Sequence, residues 1–249
     1  MQRPRRTVAE GGRTKESGMS HKTLRGAFAT LVVLAASACS SEHRATSPKE
    51  VRALAGGPEA VAAREQAERN LRNTVEAYAE HTQLALGLVV VNDECLGGRA
   101  RRWLDPNGAE RYKIRCSMRA TAYYGASPER IVSVLDGILA AGDRTGSGIA
   151  FTHDVDGPLV DQYRGGRDQE PEVPELSAPG QTLSWDPVRD DRPHLLVEEP
   201  QECPAGDPLL TRCVRDPESG TVAAVRKRYG MVFRLALTAP DYYRVRKKG

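Results

Sequence analysis

The most regular pattern in the chain is an alternation of mostly apolar and mostly polar residues over positions 111–124. A period of two predicts a β-strand that has one face in a core. These fourteen residues would span about 46 Å when extended, which is longer than most strands. We therefore expect a bend or bulge within the strand. Its polar face carries four cations, namely Arg111, Lys113, Arg115 and Arg119.

Two other stretches repeat their apolar residues every three or four positions, which is the period of an amphipathic helix. The first begins at Pro58, because proline is favoured in the first turn, and continues to about His81. The second begins with Ser127 as N-cap and Pro128 in its first turn, and Gly142 ends it. The periodicity thus predicts two main helices.

Further apolar patterns predict additional strands. In residues 83–95 we expect alternate residues to share one face, namely Leu84, Leu86, Leu88 and Val90. Residues 221–239 predict one or two strands with a second common face, formed by Met231, Phe233, Leu235 and Leu237. Short strands are predicted at 148–155 and 194–199, and the sequence Asp-Pro-Asn-Gly at 105–108 predicts a turn.

This order of elements predicts an α+β fold: a mostly antiparallel sheet with the two main helices packed on one face, stapled by disulfides. Residues 157–180 contain four Pro and four Gly and show little periodicity, so we expect a long irregular loop there. The surrounding stretch 154–199 holds twelve acids against four bases, which makes the loop acidic.

The N-terminal segment has the features of a signal peptide. Lys22 and Arg25 precede thirteen uncharged, mostly apolar residues that end at Ala38. Thirteen helical residues span about 20 Å, which is too short for the roughly 30 Å hydrocarbon core of a bilayer. We therefore predict that residues 1–38 are a signal peptide, and Met19 is the better candidate for the true start.

The residues Ala36-Ser37-Ala38-Cys39 resemble the lipobox of bacterial lipoproteins, with Ala36 where that family most often has Leu. The resemblance implies cleavage before Cys39, diacylation of its sulfur, and a protein anchored by this lipid to the outer face of the cytoplasmic membrane. The alternative is ordinary signal-peptidase cleavage, which would give a secreted protein. We expect residues 39–57 to form a flexible tether and residues 58–249 to form a single α+β domain.

Four further cysteines support export, because an even number in a secreted chain indicates disulfides. They allow three pairings, and proximity favours Cys95 with Cys116 and Cys203 with Cys213. Each such bridge would contribute about 3 kcal/mol by restricting the unfolded chain. The sequence has neither a Cys-x-x-Cys pair nor paired histidines. We therefore expect no metal site and no cofactor.

The net charge of +3 does not describe the exported part of the chain. Residues 1–38 hold seven of the 36 Lys and Arg residues but only two of the 33 acids. The rest therefore carries 29 bases against 31 acids. A balance this close to neutrality excludes generic nucleic-acid binding as the expected function.

The segment with the most catalytic character is His153-Asp154-Val155-Asp156-Gly157. Histidine beside carboxylates suits general-base chemistry, but in the predicted strand His153 and Asp154 would lie on opposite faces. A calcium loop fails because Thr152 and Tyr163 would occupy positions that need Asp and Glu. Ser147 lacks the Gly-x-Ser-x-Gly context of a hydrolase. Three acids near Trp185 could hold a cation, namely Asp186, Asp190 and Asp191, but solvation is the simpler interpretation.

The remaining candidate is the cationic strand face, extended by Arg99, Arg101 and Arg102 and by the aromatic residues Trp103 and Tyr123. It could bind an anionic envelope polymer, a lipid headgroup or an acidic protein. It could instead be a solvated face that prevents aggregation, which we favour, or it could dock the acidic segment of the chain itself. The expected function is a non-catalytic binding or accessory module of the envelope; the alternatives are an envelope hydrolase with unrecognised catalytic residues and a purely structural subunit.

Overall fold

The structure is a computed structural model that describes residues 44–100, 111–166, 171–188 and 192–247. The helices are α1 (Pro48–Ala55), α2 (Pro58–His81), α3 (Ile131–Gly142), α4 (His153–Arg164) and α5 (Val222–Tyr229). The strands are β1 (Ala85–Gly97), β2 (Tyr112–Ala126), β3 (Glu175–Ala178), β4 (Gln181–Trp185), β5 (Thr211–Asp216) and β6 (Met231–Arg246). Short 3₁₀ turns occur at Pro128–Arg130 and Pro193–Leu195.

The strands form one six-stranded sheet in the order β3-β4-β6-β2-β1-β5, and every adjacent pair is antiparallel. The alternating stretch noticed first in the sequence is β2, and it lies between β1 and β6 near the centre of the sheet. The predicted α+β class is confirmed.

The expected irregularity of β2 is also present. Its pairing with β6 shifts register between Tyr112 and Ile114 and again between Cys116 and Met118. At the second shift β6 inserts extra residues, among them Asp241, whose φ is 51°. Because a bulge re-aims the side chains beside it, the alternation of the sequence does not continue as one uniform face.

The main core lies between one face of the sheet and the helices α2, α3 and α4. Tyr78 of α2 contacts Tyr124 of β2, and their ring centroids are 6.3 Å apart. The predicted common face of β6 is confirmed, because its four apolar residues are all buried in this core. The two main helices that the periodicity predicts, α2 and α3, therefore pack on the same face.

A smaller core lies on the opposite face, beneath α5. Leu88 and Val90 of β1 belong to it, whereas Leu84 belongs to the main core and Leu86 is 40 % exposed. The prediction that these four residues share one face is wrong, because β1 shifts register between Leu86 and Leu88.

Three other predictions are corrected by helices. Residues 148–155 do not form a strand, because α4 begins at His153 and occupies the first part of the predicted acidic loop. The stretch 221–239 begins with α5 rather than a strand. Residues 194–199 contain part of a 3₁₀ turn instead of a strand.

The segment predicted as a flexible tether also needs correction. Residues 48–55 form α1, which Ser47 caps by accepting a hydrogen bond from the Glu50 N–H. Val51 and Ala55 are buried against the pair Cys95 and Cys116. The ordered body therefore begins before Pro58.

Both locally paired disulfides are present, which confirms the favoured pairing. Cys95 and Cys116 face each other across β1 and β2, with a Cα–Cα distance of 4.0 Å, and both are buried. Cys203 is bound to Cys213 of β5 with a Cα–Cα distance of 5.4 Å. Among the described helices, none combines the length and the apolar character needed to cross a bilayer.

Candidate functional site

The four cations of the predicted binding face do not form one continuous free row. Lys113 forms an ion pair with Glu50 of α1, with an N–O distance of 2.8 Å. Arg115 is 3.3 Å from the Asp241 carboxylate, and its guanidinium also lies 5.2 Å from the centre of the Tyr112 ring. Arg111 is exposed, and Arg119 lies farther along β2 in a groove. Arg101, Arg102 and Trp103 lie outside the described residues.

This groove, which we call the polar groove, occupies the part of the second sheet face that α5 leaves uncovered. Its volume is about 850 Å³, within the range of small-molecule sites. Its floor consists of side chains from β1, β2 and β6, because alternate residues of neighbouring strands share a face. The polar floor residues are Asn92, Ser117, Arg119, Thr121, Arg234 and Thr238.

One wall of the polar groove is a segment that we call the strap, residues 197–204. At its start Val197 is buried in the smaller core and donates its backbone N–H to Asp186 Oδ1 at 2.8 Å. Near its end Cys203 is held to β5 by the disulfide with Cys213. A segment without regular structure is thereby fixed at both ends.

Asp186 has a structural role, so the favoured interpretation of a solvated acid is wrong for this residue. It is 3 % exposed and accepts hydrogen bonds from the backbone N–H groups of Val197 and Val232. Arg226 of α5 adds two more, both at 2.8 Å, and the hydrogen bond to Asp186 raises the pKa of the Arg226 guanidinium. Both carboxylate oxygens are thus used in joining α5, β6 and the strap. Asp190 and Asp191 lie outside the described residues.

Five charged side chains in the polar groove lack partners among the described residues, whereas Glu199 contacts Arg215 and the Ala223 N–H. Neither an ion pair nor a hydrogen bond holds Arg119 or Arg234, and the Nε atom of Arg234 is buried. The carboxylates Glu94, Glu198 and Glu202 are likewise unpaired there. The groove therefore offers free donors and free acceptors at the same time.

Tyr123 lies in the floor of the polar groove and is 3 % exposed. Burial raises the pKa of its phenol, while the nearby Arg234 guanidinium acts in the opposite direction. In the sheet, Tyr123 lies opposite Leu88 of β1 on one side and opposite Arg234 of β6 on the other. This end of the groove thus combines an aromatic residue of the smaller core with an unpaired guanidinium.

The His153 cluster forms a link between two helices. His153 Nδ1 is 2.5 Å from the Asp143 carboxylate and Nε2 is 3.5 Å from that of Asp136. The hydrogen bond to Asp143 raises the pKa of His153, and the same bond lowers the pKa of Asp143. Arg164 binds both oxygens of Asp136. Because both ring nitrogens face carboxylates, the cluster joins α3 to α4 and does not activate a nucleophile.

The periodicity did not reveal a buried ion pair beside the Cys95–Cys116 disulfide. Arg64 of α2 donates from Nε to Asp93 Oδ2 at 2.5 Å, and the Tyr242 hydroxyl donates to Asp93 Oδ1 at 2.6 Å. Arg64 also donates to the Leu209 carbonyl at 3.1 Å. A signal was present, because Arg64 occupies the apolar stripe of α2 between Ala60 and Ala67.

Comparisons with protein-family models, with curated proteins and with solved structures found no match. Within the described ranges, no group of three or more His, Cys, Asp or Glu residues could hold a metal ion. The polar groove is therefore the feature of the described residues from which a function can be inferred.

Proposed function

We propose that the protein is a lipid-anchored binding protein on the outer face of a bacterial cytoplasmic membrane, with the polar groove as its ligand site. The observation that carries this proposal is the groove, in which unpaired charges of both signs line a fixed, concave sheet surface. The lipobox resemblance at Cys39 and the two disulfides support export to an oxidising compartment.

Binding is favoured over catalysis by the chemistry of the groove. Catalysis by a serine or threonine needs a base within hydrogen-bond reach of the hydroxyl. Ser117 and Thr121 of the groove floor have no such partner among the described residues, and no histidine lines the groove. His153, which was considered as a general base, contacts the carboxylates of Asp136 in α3 and of Asp143 at the end of α3.

The charges also narrow the class of ligand. Four carboxylates line the polar groove, Glu94, Glu198, Glu199 and Glu202, against the two guanidinium groups of Arg119 and Arg234. A uniformly anionic polymer or lipid surface would be repelled by this excess of negative charge. A ligand that carries hydroxyls, amides, a free amine and a free acid would satisfy the groove. A glycopeptide of the bacterial wall has this chemistry.

The test uses the full chain, expressed in a bacterium and solubilised from membranes in detergent. The probes are fluorescently labelled muropeptides, which are disaccharide–peptide fragments of the wall, and binding is followed by fluorescence anisotropy. In the variant Thr121→Trp a large ring fills the centre of the groove floor. We expect wild-type protein to bind saturably. Thr121→Trp should bind at least about tenfold more weakly, which is a loss of about 1.4 kcal/mol or more in binding free energy.

The matched control is Ser177→Trp, because Ser177 is exposed on the edge strand β3 and does not line the groove. This variant should bind as wild type does. Absence of saturable binding by the wild type, or equal binding by Thr121→Trp and wild type, would contradict the proposal. Thermal unfolding of both variants verifies that each is folded.

A further inference from the structure

Arg234 differs from the other arginines that are partly or fully buried in this protein. Arg64 and Arg226 each donate to a carboxylate and to a backbone carbonyl. Arg234 Nε is buried yet has no hydrogen-bond partner in the described chain. Leaving a buried donor unpaired is destabilising, and more so for a charged group. Because Arg234 also lines the groove and no described residue pairs with its guanidinium, a ligand atom that enters the groove can accept from that guanidinium.

The neighbouring Glu199 carboxylate does not supply that acceptor, because it contacts other groups. Glu199 accepts from the Ala223 N–H at 2.8 Å and lies 3.6 Å from Arg215. Arg215 in turn donates twice to the Gly220 carbonyl. In the sheet, Arg234 is flanked by Tyr123 of β2 and Ser184 of β4. The Glu199 carboxylate of the strap is therefore already engaged away from Arg234.

The two ends of the polar groove differ in their charged side chains. Tyr123 and Ser117 are six residues apart on β2, which corresponds to about 20 Å. In the sheet, Tyr123 lies opposite Arg234 of β6, and Ser117 lies opposite Glu94 of β1. The Arg234 end thus carries a free guanidinium near the engaged Glu199, whereas the other end carries both Glu94 and Arg119.

We infer that the end of the polar groove at Arg234 and Tyr123 is an oxyanion subsite, in which the Arg234 guanidinium donates to an oxygen of a ligand carboxylate or phosphate. This inference rests on the proposed function, because it assigns the acid group of the ligand to one end of the same groove. Guanidinium groups suit these oxyanions because their paired N–H donors match the geometry of the acceptor oxygens.

The first test uses three probes. One is a muropeptide with a free terminal carboxylate, the second is the same molecule as its carboxamide, and the third is a muropeptide whose sugar carries a phosphate. Wild-type protein should bind one of the two charged probes about tenfold more tightly than the carboxamide, equivalent to about 1.4 kcal/mol. The charged probe that binds more tightly than the carboxamide identifies whether the oxyanion of the ligand is a carboxylate or a phosphate. Arg234→Gln should remove the difference by weakening the charged probe alone.

The control is Arg119→Gln, which removes the same charge from the same groove but away from this end. It should keep the preference for the charged probe. If all three probes bind the wild type equally and Thr121→Trp still blocks them, the groove remains a binding site and the subsite is overturned.

A second measurement does not depend on muropeptides. The ¹⁵Nε signals of the arginine side chains are recorded by NMR while acetate or inorganic phosphate is added, and the Arg234 signal is assigned by its loss in Arg234→Gln. We expect that signal to shift saturably with at least one anion. A shift without muropeptide binding would support the subsite and contradict the proposed ligand, whereas an unchanged Arg234 signal would overturn the subsite.

Discussion

Unlike the Arg234 guanidinium, the buried carboxylate of Asp93 has hydrogen-bond partners on both of its oxygens. This residue is 3 % exposed, and both of its carboxylate oxygens accept hydrogen bonds, from Arg64 and from Tyr242. Burial by itself would lower the pKa of Arg64, but the hydrogen bond and the charge of Asp93 outweigh it and raise the pKa. Burial and the hydrogen bond to Asp93 both raise the pKa of Tyr242. Arg64 and Tyr242 therefore both stay protonated at neutral pH.

The first prediction concerns the substitution Asp93→Asn. It leaves the buried Arg64 guanidinium without its counter-charge, so the free energy of unfolding should fall by about 3–5 kcal/mol. Asp241→Asn is the control, because it removes the solvent-exposed partner of Arg115 and should cost about 1 kcal/mol or less. Urea unfolding monitored by tryptophan fluorescence measures both. Equal losses would show that the buried pair is no more important than a surface pair.

The second prediction follows from the raised pKa of His153, which is caused first by its hydrogen bond to Asp143. Because the folded pKa lies above the ordinary histidine value of about 6.5, the protonated link stabilises the fold fully below about pH 6.5 and is lost as the pH rises through the higher folded pKa. The midpoint of thermal unfolding should therefore fall more for wild type than for His153→Gln between pH 6 and pH 9. The effect is small because the partners are exposed.

His194→Gln is the control for this pH effect, since it removes an exposed histidine from outside the cluster. Its unfolding midpoint should follow the pH as that of wild type does. If His153→Gln shows the same pH dependence as wild type, the link between α3 and α4 does not contribute to stability.

At the scale of elements, the long periodic segments could be predicted and the short ones could not. α2 has 24 residues with a clear apolar stripe, and β2 has 15 with a clear alternation, so their patterns are decisive. α5 has eight residues, of which Val222 and Val225 are buried, and so short a helix is stable only through packing. Its signals were the N-cap Thr221 and the terminal Gly230, whose φ is 91°.

α4 was hidden by residues that usually interrupt helices. Gly157 and Pro158 both lie inside it, which favoured a loop in the sequence. The first turn is nevertheless stabilised, because the Thr152 N–H donates to the Asp156 carboxylate at 3.0 Å. Val160 and Tyr163 then pack into the main core. Tertiary burial therefore decides the conformation here against local propensity.

The polar groove could be predicted only in part. The alternation placed Arg119 on the polar face of β2, which is correct, and local pairing of Cys203 with Cys213 was favoured. The course of the strap depends on Asp186, which contacts Val197 and Val232 from different parts of the chain. Contacts between such distant residues leave no periodic signal in one sequence.

The third prediction concerns the contact between α5 and the sheet. A Cβ atom on Gly125 would lie 2.0 Å from the Tyr229 ring, so Gly125→Ala should destabilise the fold by about 1–3 kcal/mol through overpacking. Gly137 of α3 is the control, since a Cβ there meets nothing within 4 Å. Gly137→Ala should stabilise by about 0.5–1 kcal/mol, because Ala suits a helix interior better than Gly. Chemical unfolding should thus give shifts of opposite sign, and two shifts of the same sign would contradict this account of the α5 contact.

At the scale of the whole molecule, the ordered body begins close to the proposed lipid site. The Thr46 N–H already donates to the Gly98 carbonyl at 2.9 Å, ahead of α1. Thr46 lies seven positions after Cys39, and a fully extended chain over this distance reaches about 25 Å at most. In the proposed anchored protein the body would therefore stay near the membrane, and its groove would meet ligands there.

The last prediction tests that anchor. Cys39 is not needed for either disulfide, because the four cysteines of the body pair among themselves. Cys39→Ser should therefore leave the fold intact while removing the only proposed acylation site. We expect wild-type protein to incorporate labelled fatty acid and to enter the detergent phase on phase separation. The variant should incorporate none, and it should appear in the medium or remain unprocessed. Cys203→Ser is the matched control, since it removes a cysteine and a disulfide but should keep the lipid. If wild type and Cys39→Ser divide identically between the two phases, the protein is not anchored through Cys39, and the alternative of ordinary secretion is then favoured.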